Sequence, residues 1–234
     1  MQDGDWGRDG RWYAWAYGAL ALVGGVTAAV VSSGIPSTED LAVHYAYVRK
    51  IWPELYVAFL LLVGAFLNLL PLGVVLRQRL GHGLRGELLY ASFLGAGMLG
   101  ILWMLLQIGS AQAVVRDTPG ANAQDLAAIG GASSIWSAVI NWMERGFLIF
   151  AGAASYWTGR AALDQRIFSP GLGWFSLVVA ALYLLGFAVL AFRDAGVLLP
   201  DAVGSLFIAV GSLSATVWAG WVGWELGRKK APSG

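Results

Sequence analysis

SIWSAVINWMERGFLIFAGAASYWTG, residues Ser134–Gly159, reads as a membrane-crossing helix that carries Asn141, Glu144 and Arg145 within it. Its purely apolar part, Phe147–Trp157, falls short of the about 20 residues that a helix needs to cross a bilayer. Carrying the span back to Ile135 supplies the length and sets Glu144 and Arg145 near the bilayer centre. A charge at that depth costs roughly 2.5–3.5 kcal/mol on insertion scales, so an intramembrane Glu or Arg is expected to be paired and to mark a site. The two residues are sequence neighbours and point about 100° apart, so each is expected to find its partner on another helix.

The rest of the chain has the same character. Of its 234 residues, 58% are hydrophobic and 12% charged, and the mean hydropathy is +0.65. A soluble globular chain carries about 25% charged residues, so the balance here assigns an integral membrane protein. The net charge of +1 gives no reason to expect a nucleic-acid partner. Cysteine is absent, which excludes disulfides, thiolate metal sites and cysteine nucleophiles. Two histidines leave little room for zinc or for haem held by paired histidines. A retinal Schiff base is excluded because the lysines, Lys50, Lys229 and Lys230, fall outside the apolar segments.

Six apolar segments can be marked, at about 12–33, 55–76, 88–109, 135–157, 171–192 and 204–226. The first follows a start with more acidic than basic residues and is too long for a signal-peptide core, so it is read as a retained helix. Tyr13, Trp15 and Tyr17 near its start, and Trp218, Trp221 and Trp224 near the end of the sixth, suit headgroup depth. Basic residues gather in alternate connections: Arg8 and Arg11, then Arg77, Arg79 and Arg85, then Arg160 and Arg166, then Arg228, Lys229 and Lys230. The opposite connections hold Arg49, Lys50, Arg116 and Arg193. The positive-inside rule then places both termini in the cytoplasm, as six spans require. The expected fold is an all-α, polytopic six-span bundle in a bacterial cytoplasmic membrane, forming one domain.

Two outer connections are long. Ser37–Trp52 opens like a capping box, with Ser37 and Asp40 three apart, and is expected to form a short interfacial helix. After the Thr-Pro-Gly turn, Ala121–Ile129 is expected to be helical up to Gly130-Gly131.

The candidate site is a polar network at one depth: Asn141, Glu144 and Arg145 with Asn68 on the second span, Tyr183 on the fifth, and Ser212, Ser214 and Thr216 on the sixth. Such a network serves either as a ligand or ion pathway or as glue between helices. Pro71, one turn after Asn68, is expected to kink its helix. Small residues at four-residue spacing, Ser92, Ala96 and Gly100 on the third span and Ser212, Thr216 and Gly220 on the sixth, are read as close-packing faces. Arg77, Arg79 and Arg85 are candidates for anionic lipid headgroups. Asp40 and His44, four apart, with Glu39 beside them, are candidate metal ligands that lack a fourth partner. Glu54, Glu87 and Glu225 sit at span ends and are expected to be solvated.

The stretches LLVGAFLNLLPLGVVLRQRL (61–80), AQDLAAIGGASSIWSAVINWMERGFLIFAGAASYWTG (123–159) and RIFSPGLGWFSLVVAALYLLG (166–186) together resemble an uncharacterised bacterial six-helix membrane family, a domain of unknown function. The resemblance covers nearly the whole chain and rests on layout and small-residue positions. It implies the six-span fold and carries no catalytic residues with it.

The sequence implies no cofactor. Hydrolysis would need a nucleophile–base pair or metal ligands, and the spans hold no histidine and one internal carboxylate. A non-enzymatic accessory or scaffolding subunit of a larger membrane complex is therefore expected, touching other subunits through small-residue faces. The alternative is a small transporter or a binder of lipid or another hydrophobic ligand, centred on Glu144 and Arg145.

Overall fold

Local sequence sets where the helices start. In the computed structural model, which describes residues 6–36, 38, 40–81, 83–197 and 201–228, the Asp40 carboxylate accepts from the backbone N–H groups of Ala42 and Val43. Asn122 and Asp125 form a reciprocal capping box. Ser169 accepts from the Leu172 N–H, with Pro170 in the first turn. The six helices are α1 (Trp6–Ser32), α2 (Leu41–Leu80), α3 (Leu84–Asp117), α4 (Ala123–Gln165), α5 (Pro170–Asp194) and α6 (Asp201–Gly227). Each contains a stretch long and apolar enough to cross a membrane, and no strand occurs among the described residues. The protein is a multi-pass, all-helical membrane protein.

Two expected local features merge into longer helices. The outer segment after the first span is the opening of α2, which runs unbroken through Pro53 and Pro71. Asp40 is the cap, while Ser37 and Glu39 fall outside the described residues, as do His82, Lys229 and Lys230. The expected interfacial helix is not separate because the buried face carries on past Pro53: Tyr45, Ile51 and Leu55 are all buried on α2. Likewise α4 passes straight through Gly130-Gly131.

The helices close into a ring. Each packs on its sequence neighbour, and α6 packs on α1. The core lies along the ring's axis, where Tyr17, Leu69, Phe93, Phe147, Leu148, Val179, Tyr183 and Trp218 are buried together. Backbones approach closely where small residues allow it. A side chain at Gly100 would run into the Phe66 ring, one at Gly97 into Leu70, and one at Gly159 into the Gly173 carbonyl. Ser92 and Ala96 are buried along the same face of α3 as Gly100, as their spacing suggested. On α6 the register is shifted by one residue. Gly211, Ala215 and Ala219 face inward, whereas Ser212 and Gly220 are exposed; Ala219 and Thr216 both meet Gly18 of α1.

The helices differ in length, and this places the site. α5 has 25 residues and α4 has 43, about 37 and 64 Å at 1.5 Å per residue. α4 packs against α5 from Gly159, beside Gly173, up to Arg145, which meets the last residue of α5, Asp194. Residues 123–144 therefore run past the end of α5. At the opposite end of the ring the basic turns meet. Arg79 donates to the Leu226 carbonyl at the end of α6 (2.9 Å), and Arg85 and Arg160 share Asp164 (2.7 and 2.9 Å).

The close approaches give a paired expectation for thermal unfolding followed by tryptophan fluorescence in detergent. Gly100→Val should destabilise by about 1–3 kcal/mol through overpacking against Phe66. Gly25, beside which a methyl group meets nothing within 4 Å, should accept Ala with no loss, or with a gain up to about 1 kcal/mol from helix propensity.

Candidate functional site

Arg145 is the largest fully buried side chain of the molecule, at 1% exposure. Its Nη2 lies 2.8 Å from Oδ1 and 2.6 Å from Oδ2 of Asp194. Burial of a guanidinium is tolerated only with such a partner, because its desolvation is not otherwise repaid. The Trp142 ring, 5.6 Å from the guanidinium carbon, adds a cation–π contact one turn away. Glu144 is close enough to Arg145 and Arg193 to interact with both electrostatically. The four side chains form a charge-balanced cluster in which α4 passes the end of α5.

Arg145 is level with the end of α5. Toward Gln165 the packed part of α4 continues through buried Thr158, Gly159, Ala161 and Ala162. Thr158 contributes to this by turning its hydroxyl onto the Ala154 carbonyl (2.8 Å), which hides its polarity within the helix.

The candidates grouped with Arg145 by depth go elsewhere. Asn141 is exposed. Asn68 donates to the Gly64 carbonyl on its own helix (2.7 Å), and Thr216 to that of Ser212 (3.1 Å). Tyr183 lies on the ring axis, lining the same cavity as Tyr17, with its ring edge-on to Phe147. The polar network therefore separates into an end cluster, Glu144–Arg145–Arg193–Asp194, and an axial pair, Tyr17–Tyr183.

Asp194 is the partner that sequence reasoning missed, since Arg193-Asp194 reads as the edge of a loop. Antiparallel pairing of α4 and α5, counted back from Gly159 and Gly173, would have brought Asp194 to Arg145. Glu225 was also missed. It is buried at 8% exposure, its Oε1 has no hydrogen-bond partner, and Arg228 stands 3.8 Å from its other oxygen. The helix end expected to solvate it is instead covered by α1, where Arg11 lies against Gly227.

The surface candidates have internal roles. Arg77 pairs with Glu87, Arg79 caps α6, and Arg85 pairs with Asp164. Asp40 is used as a helix cap, His44 lies edge-on to Tyr45, and no cluster of three metal-ligating side chains occurs among the described residues. A cavity on the ring axis has a volume of about 20 Å³ and is lined by residues of all six helices. Glu144 is not among them.

No family model, curated protein or solved structure matches the chain.

Two substitutions separate the members of the end cluster. Asp194→Asn leaves the Arg145 charge buried without its counter-ion. It should destabilise by about 2–3 kcal/mol, below the roughly 3–5 kcal/mol of a fully buried pair because Asp194 reaches solvent. Glu144→Gln, which leaves that pair intact, should change stability by less than about 1 kcal/mol. Chemical unfolding of the two variants in the same detergent checks the ranking.

Proposed function

We propose that this protein is a non-enzymatic accessory or scaffolding subunit of a larger membrane assembly, held in a bacterial cytoplasmic membrane with both termini inside. One observation carries the reading. The half of α4 that runs past α5 has no helix covering its apolar side: Ile135 is 70% exposed and Trp142 60%, with Trp136 and Val139 also exposed. The Arg145–Asp194 pair marks the membrane boundary on this side, and the aromatic stretch beyond it is the docking element. An apolar patch that no helix of the protein covers is a surface for a partner. Its chemistry suits a helix of another membrane subunit. Trp136 and Trp142 supply large anchors, and Ser133, Ser134, Ser137 and Asn141 supply short polar groups for hydrogen bonds between helices.

A second reading, a binder of lipid or another hydrophobic ligand, is favoured by one feature. Nε and Nη1 of Arg145 are buried with no acceptor, and an oxygen of a bound molecule would satisfy them. It is the weaker of the two, because the axial cavity does not extend to this cluster.

The docking reading is tested by a photoreactive residue at Trp136, with another at Val178 on the exposed face of α5 as the control, irradiated in native membranes. The expected result is a discrete cross-linked protein from position 136, retained with the chain through mild detergent purification and absent from position 178. A monomer that carries only lipid adducts at both positions would overturn it.

A further inference from the structure

The six helices leave a small space at the one place where all of them meet. Tyr17 comes from α1, Leu69 from α2, Phe93 and Ala96 from α3, Ser155 from α4, Tyr183 from α5, and Ala215 and Trp218 from α6. Alanines stand where larger side chains would fill the axis, so the space is built by the sequence.

Its polar lining is unusual for this protein. Buried Ser92, Thr158 and Ser176 each turn their hydroxyl back onto the carbonyl four residues earlier. Ser155, buried at 4% exposure, makes no such bond and lines the cavity instead. Trp218 is already satisfied, donating to Ser176 Oγ at 2.8 Å. Three hydroxyls are left, those of Tyr17, Tyr183 and Ser155. All three line the cavity. A buried hydroxyl without a partner costs roughly 1–3 kcal/mol. A single water can accept two hydrogen bonds and donate two, enough to serve these three hydroxyls. The space of about 20 Å³ exceeds the roughly 10–15 Å³ that one water occupies, and a buried water needs two to four polar partners.

We infer that the axial cavity is a binding site for one structural water, held by Tyr17, Tyr183 and Ser155, which links α1, α4 and α5 at the centre of the ring. The site selects by size and polarity: aromatic walls from Phe93 and Trp218 exclude larger guests, and the hydroxyls exclude an apolar one.

X-ray hydroxyl-radical footprinting of the full-length protein in lipid nanodiscs tests this directly, because radicals formed from a bound water label the side chains that hold it. Tyr17 and Tyr183 should be modified in spite of their burial, while Met104, equally buried but off the cavity, should remain unmodified. In Ser155→Val, which fills the space and removes one hydroxyl, tyrosine modification should drop to the Met104 level. Unmodified Tyr17 and Tyr183 in the native protein would overturn the inference, as would modification that persists unchanged in a folded Ser155→Val variant. Should that variant fail to fold, the native labelling pattern decides alone.

Discussion

A guanidinium almost wholly removed from solvent is the constraint around which this fold is arranged. Arg145 has a single carboxylate partner, at the last residue of α5, and the pair ties the middle of the longest helix to the end of the shortest. Once that contact is fixed, the close approach of Gly152 to Leu184 and of Gly159 to Gly173 fixes the rest of the register between α4 and α5. Helix packing through small residues supplies the contact area. The ion pair supplies the specificity, since a slip of one turn would strand a buried charge.

What the ring encloses follows from the same economy of polar groups. Most hydroxyls on buried helix faces are turned onto their own backbone, so the helices present apolar surfaces to one another. The exceptions are few and located. Trp218 and Ser176 bond across α5 and α6, Tyr17 and Tyr183 face the same space from α1 and α5, and Arg145 and Asp194 close the end. Each joins two helices that pack side by side or face each other over the axis, so the polar groups act as pins between elements already apposed by packing.

The class of protein, the six apolar helices and the close-packing face of α3 were legible in the sequence, because long apolar runs and small-residue spacing are local signals. The packing of α4 was not: its antiparallel partner carries the buried face on through Ala162, where Thr158 hides its hydroxyl within the helix and Arg160 pairs with Asp164 one turn on. The α6 face was misread by one residue: Ser212, Thr216, Gly220 and Gly211, Ala215, Ala219 are both small-residue stripes, and the second is the buried one. Asp194 drew no attention because a residue at the edge of a loop carries no pattern.

The depth of Arg145 is the claim on which the account turns, and a chain without cysteine allows it to be measured cleanly. Single cysteines placed at exposed positions along α4, at Ala128, Ile135, Val139, Trp142, Ile149 and Tyr156, can be challenged with a membrane-impermeant maleimide in intact vesicles of defined orientation. The account predicts reaction from Ala128 through Trp142 once the assembly's partners are stripped away, and protection at Ile149 and Tyr156. Protection that already begins at Ile135 would contradict it, placing Arg145 back within the bilayer and the aromatic half of α4 against lipid.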